Sequence, residues 1–265
     1  MIKILASVDT CVAVEVGKQV AAQVEKNTPH ISIKAEEIFN FFGFPITNSL
    51  LTSWIVLLLL IIVAIQFRQQ KGPVYHAVNI LLKGLYELFM PILGERAQIF
   101  FPIVMSFFLY IFALNWFGLL PGIGTVGFEG EHGFIPFFRG GTADLNTTLA
   151  LTLVGMFLIQ FYSIKYVGFV EYIQRFFNFS NPINAFVGIL EIVSEFSKIL
   201  SFSFRLFGNI FAGEVLMTVI SFLVPVLASL PFLLFEFFVG FIQALVFTML
   251  LSIFITVGAT SHKHH

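Results

Sequence analysis

The chain has 265 residues, of which 58% are hydrophobic and only 11% charged, with 36 phenylalanines and a formal net charge of −1. A soluble core this apolar would leave no polar surface to face water, and a β-barrel would alternate in ~10-residue segments rather than run in long apolar blocks. The class is therefore an all-α polytopic membrane protein. The net charge says nothing about nucleic acid, but there is no basic patch to bind one, and the lone Cys11 excludes an internal disulfide or a cysteine metal cluster.

Residues 1–35 are the one stretch of soluble composition, with Lys18, Glu25 and Lys26 among alanines and valines, and they read as a surface tail. Met1 to Val16 lacks a continuous apolar segment followed by a cleavage site, so no cleaved signal peptide is expected. Gly43 to Asn48 is a turn signal, and Leu50–Phe67 is the first membrane span, with Trp54 as an interfacial anchor near its start. His76–Leu93 carries Val78, Leu81, Leu82, Leu85, Leu88 and Phe89 at helical spacing, interleaved with Asn79, Lys83 and Glu87, and predicts an amphipathic helix on the membrane surface. Ile99–Leu120 is the second span, closed by Pro121-Gly122.

Gly122, Gly124 and Gly127 spell G-x-G-x-x-G, with Asp144 downstream. A dinucleotide site needs a strand before that turn and a helix after it. A long apolar helix precedes it here, so the match is chance. The third span begins at Thr142-Ala-Asp144 and runs to about Tyr162, with Asp144 or a neighbouring threonine as the cap of its first turn.

After an aromatic connection comes the longest element, Asn184–Val224, which contains no proline before Pro225. As one helix of roughly 40 residues it would be ~60 Å long, twice the ~30 Å hydrocarbon thickness, so it must be steeply tilted or broken. The last helix, from Leu230 or Pro231 to Val257, is also longer than a crossing needs. The expectation is about five transmembrane helices plus one surface amphipathic helix, with the last two long and steeply tilted. The division is a segment 1–48 outside, a membrane domain 49–261 and a cytoplasmic tail 262–265. Arg68, Lys71, Lys83, Arg96, Lys165, Arg175 and Lys263 fall on one side of the spans against Arg139 and Lys34 on the other. This bias places the N-terminus outside and the C-terminus in the cytoplasm.

Charged residues at the centre of a membrane helix cost at least ~2.5–3.5 kcal/mol each, so they face protein or water and mark ion or substrate paths. On the long helix Glu191, Ser194, Lys198, Ser201, Arg205, Gly208 and Ala212 step by three and four and form one stripe. Glu214 lies nine residues beyond Arg205, ~13 Å further along the axis and on roughly the opposite face. On the last helix Glu236, Gly240 and Gln243 share a face. Two polar tracks thus reach inward from opposite sides on different faces, which suggests two laterally offset half-channels rather than one pore. Plainer readings stand beside this. Arg205 could be a structural cation paired with Glu214 or Glu236, although the opposite-face geometry disfavours Glu214. Glu191 and Lys198 could snorkel to headgroups, Glu236 and Gln243 could be interfacial, and the terminal histidines read as a solvated tail rather than a metal site.

Ser201-Phe-Ser-Phe-Arg205-Leu-Phe-Gly-Asn209-Ile-Phe-Ala-Gly-Glu214 resembles the signature around the essential arginine of subunit a in the membrane (Fo) sector of bacterial F-type ATP synthases. Asn115-Trp-Phe-Gly-Leu-Leu-Pro-Gly122, Thr142 to Ala150, Glu191 in Leu-Glu-Ile-Val-Ser, and Gln243-Ala resemble that family in the same order. The resemblance implies a multi-pass stator subunit of the bacterial inner membrane, not an enzyme on its own. Its implied partners are a rotating ring of c subunits, the b-subunit peripheral stalk, the other synthase subunits and the lipid bilayer. No cofactor or metal is implied. Arg205 would face the ring. Glu214, Asn209, Glu236 and Gln243 would line the proton inlet, and Glu191, Ser194, Lys198 and Ser201 the outlet. Which of Glu214 and Glu236 carries the proton stays open. The competing readings are a self-contained channel or secondary transporter, an intramembrane enzyme (no G-x-S-x-G or H-E-x-x-H occurs in the spans), and a passive assembly anchor.

Overall fold

A bilayer offers the backbone no water, so long apolar runs fold as helices that satisfy their own N–H and C=O groups. The computed structural model describes residues 37–41, 44–70, 72–120, 126–130, 133–177, 182–224 and 229–260. The tail read over residues 1–35, Gly122 and Gly124, Pro225 and the terminal histidines lie outside them.

Strands β1 (Glu37–Phe41) and β2 (Phe44–Thr47) pair antiparallel ahead of α1 (Asn48–Arg68). Helix α2 (Pro73–Leu93) is joined by the 3-10 turn Gly94–Arg96 to α3 (Ala97–Gly118). A second antiparallel pair, β3 (Gly127–Gly130) and β4 (Gly133–Pro136), precedes a 3-10 turn at Gly141–Ala143 and α4 (Leu145–Val167). The chain ends in the short α5 (Phe169–Phe176) and the long α6 (Pro182–Leu223) and α7 (Ser229–Ala259). The two ribbons are absent from the sequence reading, which gave those segments only as turns and loop. Gly127 opens β3.

Five helical runs are long and apolar enough to cross a membrane: Asn48–Arg68, Tyr75–Gly118, Leu145–Val167, Pro182–Leu223 and Ser229–Ala259. The protein is an all-α polytopic membrane protein. The second run is divided at Gly94, whose φ of 57° and ψ of −139° are essentially closed to residues with a side chain. That break separates α2 from α3. On α2, Leu85, Phe89 and Leu93 are buried while Lys83 and Glu87 are exposed, as the helical spacing predicted, but Leu88, expected on the apolar face, is exposed.

Thr47 caps α1 by accepting from Leu50 N (3.3 Å), and Asp144 caps α4 by accepting from Asn146 N (3.2 Å). Pro182 opens α6, where its missing N–H has no intrahelical partner to lose. At the other end of the chain Arg96 donates to the Ala259 carbonyl (2.6 Å) and stacks over Tyr166 (4.3 Å), holding the last turn of α7.

Lipid tails are as apolar as leucine, so burying apolar surface does not by itself hold membrane helices together; close packing and buried polar contacts do. Helix α7 is the hub, packed against α2, α3, α4 and α6. Where α4 meets it, Gly155 lies against Leu251 and Gly258 against Ser163. Buried Thr152, Thr248 and Ser252 turn their hydroxyls back onto their own helix carbonyls (2.8 Å each), which lets them sit in an apolar contact. Phe100, Phe108, Ile111, Leu206, Leu251 and Ile255 are fully buried between these helices. Phe202 of α6 meets Phe247 of α7 edge-on at 5.1 Å between ring centroids.

Candidate functional site

Helix α6 is anchored by one narrow stripe. Phe202, Ser203, Leu206 and Ile210 are buried, while Ser201, Phe204, Arg205, Asn209 and Ala212 face outward. Apolar Phe196, Leu200 and Phe204 are exposed on the same helix, so the polar positions sit in a greasy surround. Arg205 donates to Ser201 Oγ at 3.4 Å and forms no ion pair among the described residues. An always-charged planar guanidinium on an apolar flank of a membrane helix is costly unless a partner outside this chain meets it.

On the N-terminal side of Arg205, polar groups of three helices, α4, α5 and α6, converge. Arg175 of α5 pairs with Glu191. Lys198 pairs with Glu195 (2.7 Å) one turn before it, and its Nζ also lies 4.8 Å from the centre of the Phe254 ring on α7. Gln160 of α4 donates to Glu195 (2.9 Å), and Tyr172 of α5 donates to Gln160 (2.8 Å). Burial, reinforced by the Glu195 charge and opposed by Arg175, raises the Tyr172 hydroxyl above its ordinary 10.0, so it remains a proton donor. Ser194 is exposed and Ser201 serves Arg205. The four expected outlet residues therefore divide: Ser194 and Ser201 share the outward face with Arg205, whereas Glu191 and Lys198 are half-buried in ion pairs.

On the C-terminal side the arrangement is different. Arg139, in the segment between β4 and α4, is 9% exposed. Its Nε lies 3.1 and 3.2 Å from the two carboxylate oxygens of Glu214, and its NH2 lies 3.2 Å from Oε2. Glu214 thus has a cation, and it is not Arg205. The Arg139 backbone is itself fixed, since its N–H donates to Thr52 Oγ1 of α1 (3.3 Å).

Glu236 of α7 is 3% exposed, and its Oε1 has no hydrogen-bond partner among the described residues. The carboxyl lies against the backbone of α6 at Gly213, where even a methyl group would overlap it. About two turns further along α7, Gln243 Oε1 accepts from Asn209 (3.1 Å), while the buried Gln243 Nε2 is also without a partner among the described residues. Of the four expected inlet residues, Asn209, Glu236 and Gln243 therefore meet at the α6–α7 contact, while Glu214 is held beside it by Arg139. Asn115 secures that contact from α3: it donates to the Gly240 carbonyl (2.9 Å) and accepts from Thr142 (2.7 Å). Neighbouring Trp116 donates to the Phe237 carbonyl (3.1 Å). Among the described residues no cluster of three or more His, Cys, Asp or Glu could hold a metal.

The sequence reading gave Arg139 only as a loop cation, and Gln160, Tyr172 and Glu195 no site role. Charge balance was the available signal for Arg139. Beyond Arg205 the last two helices carry two carboxylates, Glu214 and Glu236, and no cation.

A family model described as ATP synthase A chain matches residues 49–256. The chain is 31% identical over 258 residues to ATP synthase subunit a of Gloeobacter violaceus, covering 96% of this chain and 94% of that one. It is 29% identical over 245 residues to ATP synthase subunit a of Syntrophobacter fumaroxidans, covering 91% and 95%. With ATP synthase subunit a of Moorella thermoacetica it shares 28% identity over 222 residues, covering 82% and 93%.

Proposed function

This chain belongs to the ATP synthase A chain family, and on that premise we propose that it is the stator subunit that carries protons to and from a rotating ring of carboxylate-bearing c subunits. Two offset half-channels serve the ring. Glu214, Asn209, Glu236 and Gln243 line the inlet from outside. Glu191, Ser194, Lys198 and Ser201 line the outlet to the cytoplasm. The N-terminus lies outside, the C-terminus inside, α2 lies along the membrane surface, and a b-subunit peripheral stalk holds the subunit still.

The observation that carries this reading is the position of Arg205: outward on α6, surrounded by apolar side chains, and without an ion pair among the described residues. A protonated ring carboxyl is neutral and can face lipid, whereas an ionised one there is costly. Opposite Arg205 the ionised form is favoured, because a cation within ~4–6 Å lowers a carboxyl pKa by ~1–3 units. A carboxyl arriving there gives its proton to one side and is reloaded from the other. Arginine holds its own proton and so divides the two paths without bridging them. Each charge crossing 100 mV releases ~2.3 kcal/mol, which turns the ring.

Arg205→Ala is expected to abolish ATP-driven proton pumping by the complete synthase in inverted membrane vesicles, followed with a pH-sensitive dye, while the subunit remains in the membrane. Normal pumping by that variant would reject the assignment.

A further inference from the structure

The two inlet carboxyls are not equivalent. Both oxygens of Glu214 are taken by donors from a single buried guanidinium, which is held in turn through its own backbone by Thr52. Glu236 is more deeply buried, is pressed against the α6 backbone at Gly213, and has an oxygen with no partner among the described residues. Helix α3, packed along α7, carries no charged residue, so Glu214 is the charged neighbour that α6 brings to Glu236 and no cation on α3 competes for it. Arg139 reaches this place from a segment 75 residues away in sequence from Glu214. It belongs to none of the helices that carry the inlet.

We propose that Arg139 is a positioning residue of the inlet: by occupying both oxygens of Glu214 it assigns proton exchange to Glu236. The inference rests on the proposed half-channels and settles which of their two carboxyls moves the proton. The O–H bond forms at Glu236 as a proton arrives from the outer water and breaks as that proton is passed towards the ring. Glu214 stays engaged with Arg139 throughout and shapes the field at Glu236. Removing the guanidinium alone would take from Glu214 the donors that hold both of its oxygens. It would also leave two competing carboxyls.

The test uses the complete synthase in inverted vesicles, with immunoblots for subunit abundance. ATP-driven pumping and passive proton conduction after removal of the soluble sector are both read. Glu236→Gln and Arg139→Gln are each expected to slow both by about tenfold or more. Glu214→Gln should slow them only a few-fold. The neutral double variant Arg139→Gln/Glu214→Gln should recover most of the rate lost in Arg139→Gln, and Arg139→Lys, which keeps the charge, should lie between wild type and Arg139→Gln. A purely structural Arg139 would show no such recovery in the double variant.

The proposal is overturned if Glu214→Gln is slower than Glu236→Gln, or if the double variant is as slow as Arg139→Gln. Should Arg139→Gln fail to accumulate in the membrane, the Glu214→Gln against Glu236→Gln comparison decides alone. Arg205→Ala keeps the two readings apart. If it pumps normally, the half-channel reading falls. If it is inactive, the Arg139 series tests only the division of labour at the inlet.

Discussion

The two polar regions flanking Arg205 differ in how their charges are balanced. On the N-terminal side each carboxylate has its own cation, Glu191 with Arg175 and Glu195 with Lys198, and these partners lie 16 and 3 residues apart. On the C-terminal side, among the described residues, Arg139 pairs with Glu214 from 75 residues away and Glu236 has an oxygen left over. A balanced region can hold its geometry without exchanging protons. A region with a surplus buried carboxyl has a group whose best state depends on whether a proton is present. On the proposed reading that asymmetry lets the inlet be organised around a proton-binding side chain, while the outlet is a set of fixed pairs leading to water.

The contrast can be broken most strongly at the surplus carboxyl. Gly213→Ala places a methyl group where the Glu236 carboxyl lies; overpacking of this kind costs ~1–3 kcal/mol. Proton pumping is expected to fall by about tenfold with the synthase still assembled. Gly84→Ala on α2, where the new methyl meets nothing within 4 Å, serves as the control. Equal rates for the two variants would mean that Glu236 can work from another position.

A smaller effect is expected in the balanced region. Glu195→Gln keeps an acceptor for Gln160 but removes the charge facing Lys198. It should lower thermal stability in detergent by about 1 kcal/mol and passive proton conduction by about twofold. A loss as deep as that of Glu236→Gln would erase the distinction between the two regions.

The smallest change is Tyr172→Phe, which deletes the hydrogen bond to Gln160 and should cost ~0.5–1.5 kcal/mol of stability. Because the hydroxyl titrates above its ordinary 10.0, the effect should be the same across about pH 6 to 8. A steep change within that range would show a titrating role for Tyr172.

Much of the architecture is readable in the order of residues. The apolar runs that mark α1, α3, α4, α6 and α7 fall within a few residues of the helices observed, and the differences lie at caps. Asp144 starts α4 at Leu145 rather than at Thr142, because its carboxylate accepts from Asn146 N and leaves Thr142 in the preceding turn. The α2 faces were visible for the same reason: Leu85 and Phe89 are four residues apart, as are Lys83 and Glu87. The ribbons β1–β2 and β3–β4 were not visible, since their strands are four or five residues long and carry glycine, proline and phenylalanine in no clear alternation.

The site was legible where it depends on one helix and hidden where it depends on several. Spacing along α6 put Ser201, Arg205 and Ala212 on one face, and they share an exposed face in the structure, because 3.6 residues per turn is a property of the backbone alone. The same spacing put Lys198 on that stripe. It is instead half-buried against Glu195 and Phe254, because a long flexible side chain follows its partner rather than its Cα. The pairing of Glu214 with Arg139, and the press of Glu236 on Gly213, needed the fold. They join residues on different elements, and no periodicity within either element encodes a contact made by packing. The sequence by itself determined where helices form, which faces they present and that Arg205 lies in an apolar stretch. Tertiary structure decided which charges meet and which is left over, since a long-range ion pair is chosen by how helices pack in space and not by distance along the chain.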